Sequence, residues 1–179
     1  MMNFKEITEK RQSCRHYTDK KVSMEDINEI LECARNCPSA CNSQPWKFIV
    51  CTDEIAKNMS EHLVVNKLLP INRWTKECST FIVIAETKAR LIKGIPVGSQ
   101  HYAQIDLGIA CATICYAACD KGISTCIMGA FDEKKIKELL NIPEDIKVRL
   151  VVSLGYAKDE TVKNKSRKQY EEIVSINKW

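Results

Sequence analysis

Apolar positions along this chain switch between helical and strand spacing, and the switches divide it into alternating elements. Phe4 and Ile7 before Arg11 predict a short helix over 4–12 that ends in a polar loop. Ser23 is placed to cap a second helix, with Ile27, Ile30, Leu31 and Ala34 at helical spacing until Cys37-Pro38 stops it. After the loop 38–45, the run 46–51 reads as a strand, and Asp53 starts a third helix. Residues 70–78 read as irregular. The fully apolar run 80–85 reads as a central strand. The longest helix is predicted over 100–121, rich in Ala, Cys and Gly, with Gly122 placed to end it. A strand over 123–128, a helix capped by Asp132 and running through Leu140, and a strand over 148–154 complete the pattern before a polar tail. Four strands interleaved with helices, and a tail too long to be a simple fray, predict a three-layer α/β or α+β sandwich, formed by residues 1–179 as a single domain.

Composition narrows the class without changing that picture. Of 179 residues, 45% are hydrophobic and 28% charged, which is ordinary globular usage. The uncharged stretch 107–119 falls short of the roughly 20 apolar residues that cross a bilayer, so it reads as a buried helix and no membrane association is expected. No basic region followed by an apolar run opens the chain, and cytoplasmic localisation is the expectation. The net charge is +4, with the excess gathered around Lys163, Lys165, Arg167 and Lys168. That placement suits a compact anion rather than a nucleic acid. The ten cysteines include no Cys-x-x-Cys pair. Cys33, Cys37 and Cys41, and again Cys111, Cys115 and Cys119, recur every four residues, which reads either as a metal site or as small hydrophobes on a helix face. The second reading needs no further ligand, so reduced thiols and no metal are expected.

Three segments carry candidate chemistry. Arg11-Gln12-Ser13-Cys14-Arg15 sets two guanidinium groups about a hydroxyl, a donor set that matches phosphate oxygens; taken alone, the arginines serve equally as solvated partners of a helix C-terminus. The loop from Pro38 through Ser39, Ala40, Cys41, Asn42, Ser43 and Gln44 to Pro45, followed by Trp46, presents small polar groups that suit a polyol or heterocycle, or an ordinary turn. Gly129-Ala130, ahead of Phe131-Asp132, lets a flat ligand approach bare backbone, or simply makes a tight turn into a capped helix. Neither G-x-G-x-x-G after a strand nor a P-loop occurs, so a nucleotide cofactor must be held another way.

In this order and spacing the three segments resemble the nitroreductase family, which opens with Arg-x-Ser-x-Arg/Lys, continues with Pro-Ser-x-x-Asn-x-Gln-Pro-Trp, and later has a Gly-rich turn before Phe-Asp. The helix around Gln104-Ile105-Asp106-Leu107-Gly108 and the stretch 167–174 extend the likeness over nearly the whole chain. The resemblance implies an α+β fold, a three-layer α/β/α sandwich with a central mixed sheet that binds FMN, in a homodimer with FMN at the interface and the C-terminal tail exchanged with the partner protomer. It implies that Arg11, Ser13 and Arg15, with Lys165 and Arg167 from the tail, hold the FMN phosphate. Pro38, Ser39, Ala40 and Asn42 would line the ribityl chain and ring, Asn72 would meet the pyrimidine edge, and Gly129 and Ala130 would offer backbone N–H groups near flavin N5.

On this resemblance the chain is an NAD(P)H-dependent flavin oxidoreductase that passes two electrons from NADH or NADPH through FMN to a nitroaromatic, quinone or similar small-molecule acceptor, by ping-pong kinetics. No side chain is assigned as catalytic, because the flavin supplies the chemistry. His16, His62 and His101 are scattered, and His16 alone lies near the phosphate motif. The alternatives are a flavin-binding or regulatory module without turnover, a family member performing reductive dehalogenation or dehydrogenation, and a non-flavin α/β protein whose basic tail holds another anion. The region 70–98 is compact, and the acceptor is not specified by it.

Overall fold

The structure, a computed structural model, describes residues 2–65, 70–90 and 100–179. Helix α1 (Phe4–Lys10) begins in a capping box formed by Asn3 and Glu6 and stops two residues earlier than its apolar spacing suggests. Arg11 leaves the helix in an extended conformation to run along the sheet edge. Helix α2 (Met24–Arg35) is capped by the Ser23 hydroxyl, which accepts from the Asp26 N–H. Strand β1 (Trp46–Thr52) leads directly into α3 (Asp53–Leu63). A 3-10 turn at Arg73–Glu77 occupies the segment expected to be irregular and precedes β2 (Thr80–Glu86). Helix α4 (Gln100–Asp120) ends at Gly122, whose φ of +72° is the left-handed conformation that favours glycine. Strand β3 (Ser124–Met128), helix α5 (Glu133–Leu140) behind the Asp132 cap, and strand β4 (Lys147–Gly155) follow, and α6 (Tyr170–Ile173) forms one turn within the tail.

The sheet order is β1-β2-β4-β3 and every strand pair is antiparallel. The expected mixed sheet is corrected here: among the described residues the one parallel pairing is a single bridge between Ser13 and Thr125. Strand β2, read from its apolar run as a central strand, is buried at all seven positions, with helices on both faces. One face, with Ile82, Ile84, Val152 and Leu154, packs on α2 and α4 through Ile27, Ile30, Leu107 and Ile114. The other, with Phe81, Val83 and Val151, packs on α3 and α5 through Met59, Leu63 and Ile136. The three layers expected of an α+β sandwich are therefore present. A register shift at Ile84/Ala85 puts Val148 on the same face as Val151.

By length and composition α4 is apolar enough to cross a bilayer, yet half of that window is buried within the protein, as the sequence led us to expect of a core helix. It carries the buried Cys111, Cys115 and Cys119, the last of them against α1. All ten cysteines are unpaired thiols, and no metal-holding cluster exists among the described residues. Burial pushes the Cys51 and Cys78 thiols up to about 12, so they pack as small apolar groups at neutral pH.

One contact fixes the chain before α2 onto the sheet. Tyr17 is buried, its hydroxyl sharing a 2.8 Å hydrogen bond with the Ser153 Oγ and donating to the Cys14 carbonyl. Its ring lies over Gly155 so closely that a Cβ there would stand 2.7 Å from Tyr17 Cδ1. A methyl at this point forces the ring or the strand end to move, which for overpacked interiors costs about 1–3 kcal/mol. Gly155→Ala is therefore expected to lower Tm by roughly 2–12 °C in a chain of this size. An unchanged melting curve would show that the ring yields freely.

Candidate functional site

The segment after α1 builds one wall of a cleft. Cys14 N–H donates to the Thr125 carbonyl at 2.9 Å, Ser13 bridges Thr125 in parallel, and Tyr17 pairs with Ala157. The segment thus lies extended along the open edge of β3. In extended chain, residues two apart share a side, and this is the spacing of Arg11, Ser13 and Arg15. All three line a cleft of about 200 Å³, together with Lys10, Gln12, His16, Ser124, Thr125 and Lys163.

The far wall of the cleft is the tail, drawn back over the segment by Gln12. The Gln12 side-chain amide donates to the Thr161 carbonyl at 2.8 Å and its oxygen accepts from the Lys163 N–H at 3.0 Å, while the Lys158 N–H reaches the His16 carbonyl at 3.0 Å. Lys10, Arg11, Arg15 and Lys163 outnumber the acids of the wall, Asp159 and Glu160. Neither Gln12 nor Lys163 was singled out from the sequence as a cleft residue. The basic cluster was visible there, but the fold decides which of its cations faces the cleft.

Below the cleft are thiols. The Arg11 Nη2 donates to Cys115 Sγ at 3.8 Å, and the Arg11 Nε is buried with no acceptor. Burial raises the Cys126 thiol, opposed by the charge of Arg15 and a hydrogen bond from Ser13. Cys119 also faces the cleft and is raised chiefly by burial.

The remaining predicted residues stand elsewhere. Lys165 lines no part of the cleft; its Nζ donates to the Thr8 carbonyl at 2.9 Å and also to that of Glu9, capping the last turn of α1. Arg167 is exposed and donates to the Ser166 carbonyl. Pro38, Ser39, Ala40 and Asn42 belong to a separate loop docked on α4, where the Ala40 N–H donates to Asp106 Oδ1 at 3.1 Å and Ser39 Oγ accepts from the Gln44 N–H at 2.9 Å. Cys41, Asn42 and Gln44 hold positive φ in that loop. Asn72 and Ala130 are brought together, since the Asn72 amide donates to the Ala130 carbonyl at 2.8 Å and to that of Leu63. Gly129 is exposed, and a Cβ there would meet only Leu150 at an ordinary 3.9 Å, so the packing of this chain alone does not require glycine at that position.

Comparison with known proteins follows the same lines. The family model described as "Nitroreductase family" matches residues 8–156. A provisionally named NADH dehydrogenase/NAD(P)H nitroreductase of Archaeoglobus fulgidus is 39% identical over 155 residues, covering 84% of this chain and 83% of its own. The crystal structure of a nitroreductase family protein from Clostridium novyi is 29% identical and superposes with a TM-score of 0.76 over 91% of this chain and 89% of that one. An FMN-dependent nitroreductase of Clostridium difficile, 24% identical, has the same fold, with a TM-score of 0.79 over 97% and 98% of the two chains. Motif order, layered architecture and a family match spanning most of the sequence together establish that this chain belongs to the nitroreductase family.

Proposed function

We propose that this protein is an FMN-dependent oxidoreductase that takes two electrons from NADH or NADPH and delivers them to a nitroaromatic, quinone or similar electrophile, acting as a homodimer. The observation that carries the reading is the donor set of the cleft: four cations, the hydroxyls of Ser13, Ser124 and Thr125, and a buried Arg11 N–H still lacking an acceptor. A buried donor left without a partner costs about 1–3 kcal/mol, and a phosphate oxygen removes that cost. These residues fit a phosphate group. Arg11 and Arg15 supply forked donors to its oxygens and Ser13 a hydroxyl between them.

At about 200 Å³ the cleft suits the phosphate end of FMN and not the whole of it, since sites enclosing an entire ligand of that class run to about 300–1,000 Å³. The loop holding Ser39 and Asn42 and the turn holding Gly129 and Ala130 lie outside the cleft, and the first is tied to α4 at Asp106 while the cleft meets α4 at Cys119. Thirteen residues of helix separate those two contacts by roughly 20 Å. A second copy of the chain bringing its own loop to this cleft closes the site, which supports a dimer with FMN at the interface. Phe4, Tyr102, Ile105 and Ile109, with Ile173 and Trp179 of the tail, are exposed apolar groups that such an assembly and a tail exchange would cover. When bound, FMN supplies the two-electron chemistry. The chain holds its phosphate, presents the Gly129 and Ala130 backbone to the ring, and fixes that turn through Asn72.

Purified protein is expected to carry a flavin absorption band that NADH or NADPH bleaches anaerobically; a band that neither nucleotide bleaches would leave a binding module without turnover, and no band at all would remove the cofactor. Arg11→Ala is expected to weaken FMN roughly 10- to 100-fold, the equivalent of one charge-assisted hydrogen bond, and to leave riboflavin affinity unchanged. Equal losses for both flavins would overturn the phosphate assignment. The tail is read separately. Lys163→Ala is expected to lower the FMN-to-riboflavin preference directly, and the Lys165→Ala/Arg167→Ala double variant, whose side chains stand outside the cleft, to lower it less, through the tail clamp and the end of α1. An unchanged ratio in the double variant would end the clamp.

Steady-state kinetics give an independent check. One site serving donor and acceptor in turn predicts parallel initial-rate lines across a panel of a nitroaromatic, a quinone and a halogenated phenol. Intersecting lines for every acceptor would require a ternary complex, and turnover of the halogenated phenol alone would make reductive dehalogenation the activity. Light scattering of the flavin-loaded protein at micromolar concentration is expected to give twice the chain mass, and a monomer would contradict the shared site.

A further inference from the structure

Arg11 is a long side chain with many rotamers, and something must hold its head if the cleft is to be ready for an anion. Among the described residues its guanidinium has one protein acceptor, the sulfur of Cys115, 104 positions away in sequence and 3.8 Å from Nη2. Cys115 is itself surrounded. Cys111 stands one turn earlier on α4 and Thr125 faces it from β3; the hydrogen bond from Cys111 first, then that from Thr125 and the charge of Arg11, lower the Cys115 thiol against its burial. A thiol sulfur accepts with or without its proton, so Cys115 Sγ is the acceptor that Arg11 meets in either state. No oxidation or metal is involved. The arrangement is geometric: an immobile atom on the most buried helix grips one nitrogen of the fork and leaves the Nε N–H buried and free.

We infer that Cys115 is a positioning residue for the cofactor phosphate, holding the Arg11 guanidinium from beneath so that its remaining donors meet the anion already oriented. The inference rests on the assignment of the cleft to the FMN phosphate. Preorganisation of this kind raises affinity by removing the ordering cost from the binding step. There is a competing effect with the opposite sign. An electron-rich sulfur competes with a phosphate dianion for the Arg11 guanidinium, and if that competition outweighs the positioning, removing Cys115 strengthens FMN binding.

The test measures FMN and riboflavin dissociation constants by flavin fluorescence for the full-length parent, Cys115→Ala, Cys115→Val and Cys115→Ser. Ala and Val both remove the acceptor, one leaving a small void and one filling it, so a folding defect in either leaves the other to read. The expected result is a loss of about 3- to 10-fold in FMN affinity for Ala and Val, the size of one modest hydrogen bond, with riboflavin unmoved. Ser, which keeps an acceptor, is expected to stay within about 2-fold of the parent. A merely structural role would shift both flavins together. In an Arg11→Ala background the Cys115→Ala change is expected to have no further effect on FMN, because the two residues act as one unit. Unchanged or tighter FMN binding by both Ala and Val, or full additivity with Arg11→Ala, would overturn the inference. A parent that does not prefer FMN over riboflavin would instead fail the phosphate assignment on which it rests, and the two failures are distinguished by the parent's own ratio.

Discussion

The burial of Tyr17 over Gly155 is the constraint on which the rest of the site depends. Segment 13–17 makes single bridges to its neighbours and has no ladder of its own. What holds it is the aromatic ring in a space that only glycine leaves open, and a hydroxyl satisfied by Ser153 and the Cys14 carbonyl in a setting where burial pushes its ionisation far above the ordinary range. With the ring fixed, the five residues before it lie along β3, covering an edge that would otherwise present unpaired backbone groups. Anchored at both ends by single bridges, the segment brings Arg11, Ser13 and Arg15 to the cleft together with the residues between them, and Tyr17 is the anchor that holds its far end.

The second half of the site is prepared by different means. The loop ahead of β1 holds Cys41, Asn42 and Gln44 at φ of 55°, 50° and 49°, in left-handed conformations that cost non-glycine residues about 1–3 kcal/mol each. Several bonds hold it there: Ala40 N–H to Asp106, Ser39 Oγ to the Gln44 N–H, Gln44 to the Asn42 side chain, and the Thr87 N–H to the Pro45 carbonyl. Asp106 is buried and its Oδ2 has no partner, so the carboxylate is committed to this loop with capacity to spare. Hydrogen bonds from several elements thus hold the loop in its strained backbone.

Much of this was legible in the sequence because it depends on local rules. The Ser23 and Asp132 caps, the Gly122 stop and the apolar run of β2 each fall within a few residues of the pattern that announces them. The sense of strand pairing was not, because a strand covered on both faces looks the same whether its neighbours run parallel or antiparallel. The three site motifs were recognisable as residue types, but where they meet is set by contacts of long sequence separation. Asn72, expected by resemblance at the pyrimidine edge, gives no sign in sequence of the Ala130 carbonyl that the fold brings within 2.8 Å of it. Cys115 reads as one more small residue on a helix face, and nothing near it in sequence points to Arg11.

The tail shows how far charge alone carries such an argument. Lys163, Lys165, Arg167 and Lys168 form one cluster by composition, and composition gives no reason to prefer any of them. The choice is made by Gln12, whose amide and carbonyl both engage the tail backbone and fix its register two residues short of Lys165. With the register set, Lys163 falls at the cleft and Lys165 falls beyond it, at the end of α1, where the carbonyls of Thr8 and Glu9 face the wrong way for any helical partner. A cation there offsets the negative end of the helix dipole immediately before Arg11. Lys165 thus steadies the helix from which the phosphate-facing segment departs, so that within one chain the tail contributes one lysine to the cleft and another to the element that aims it.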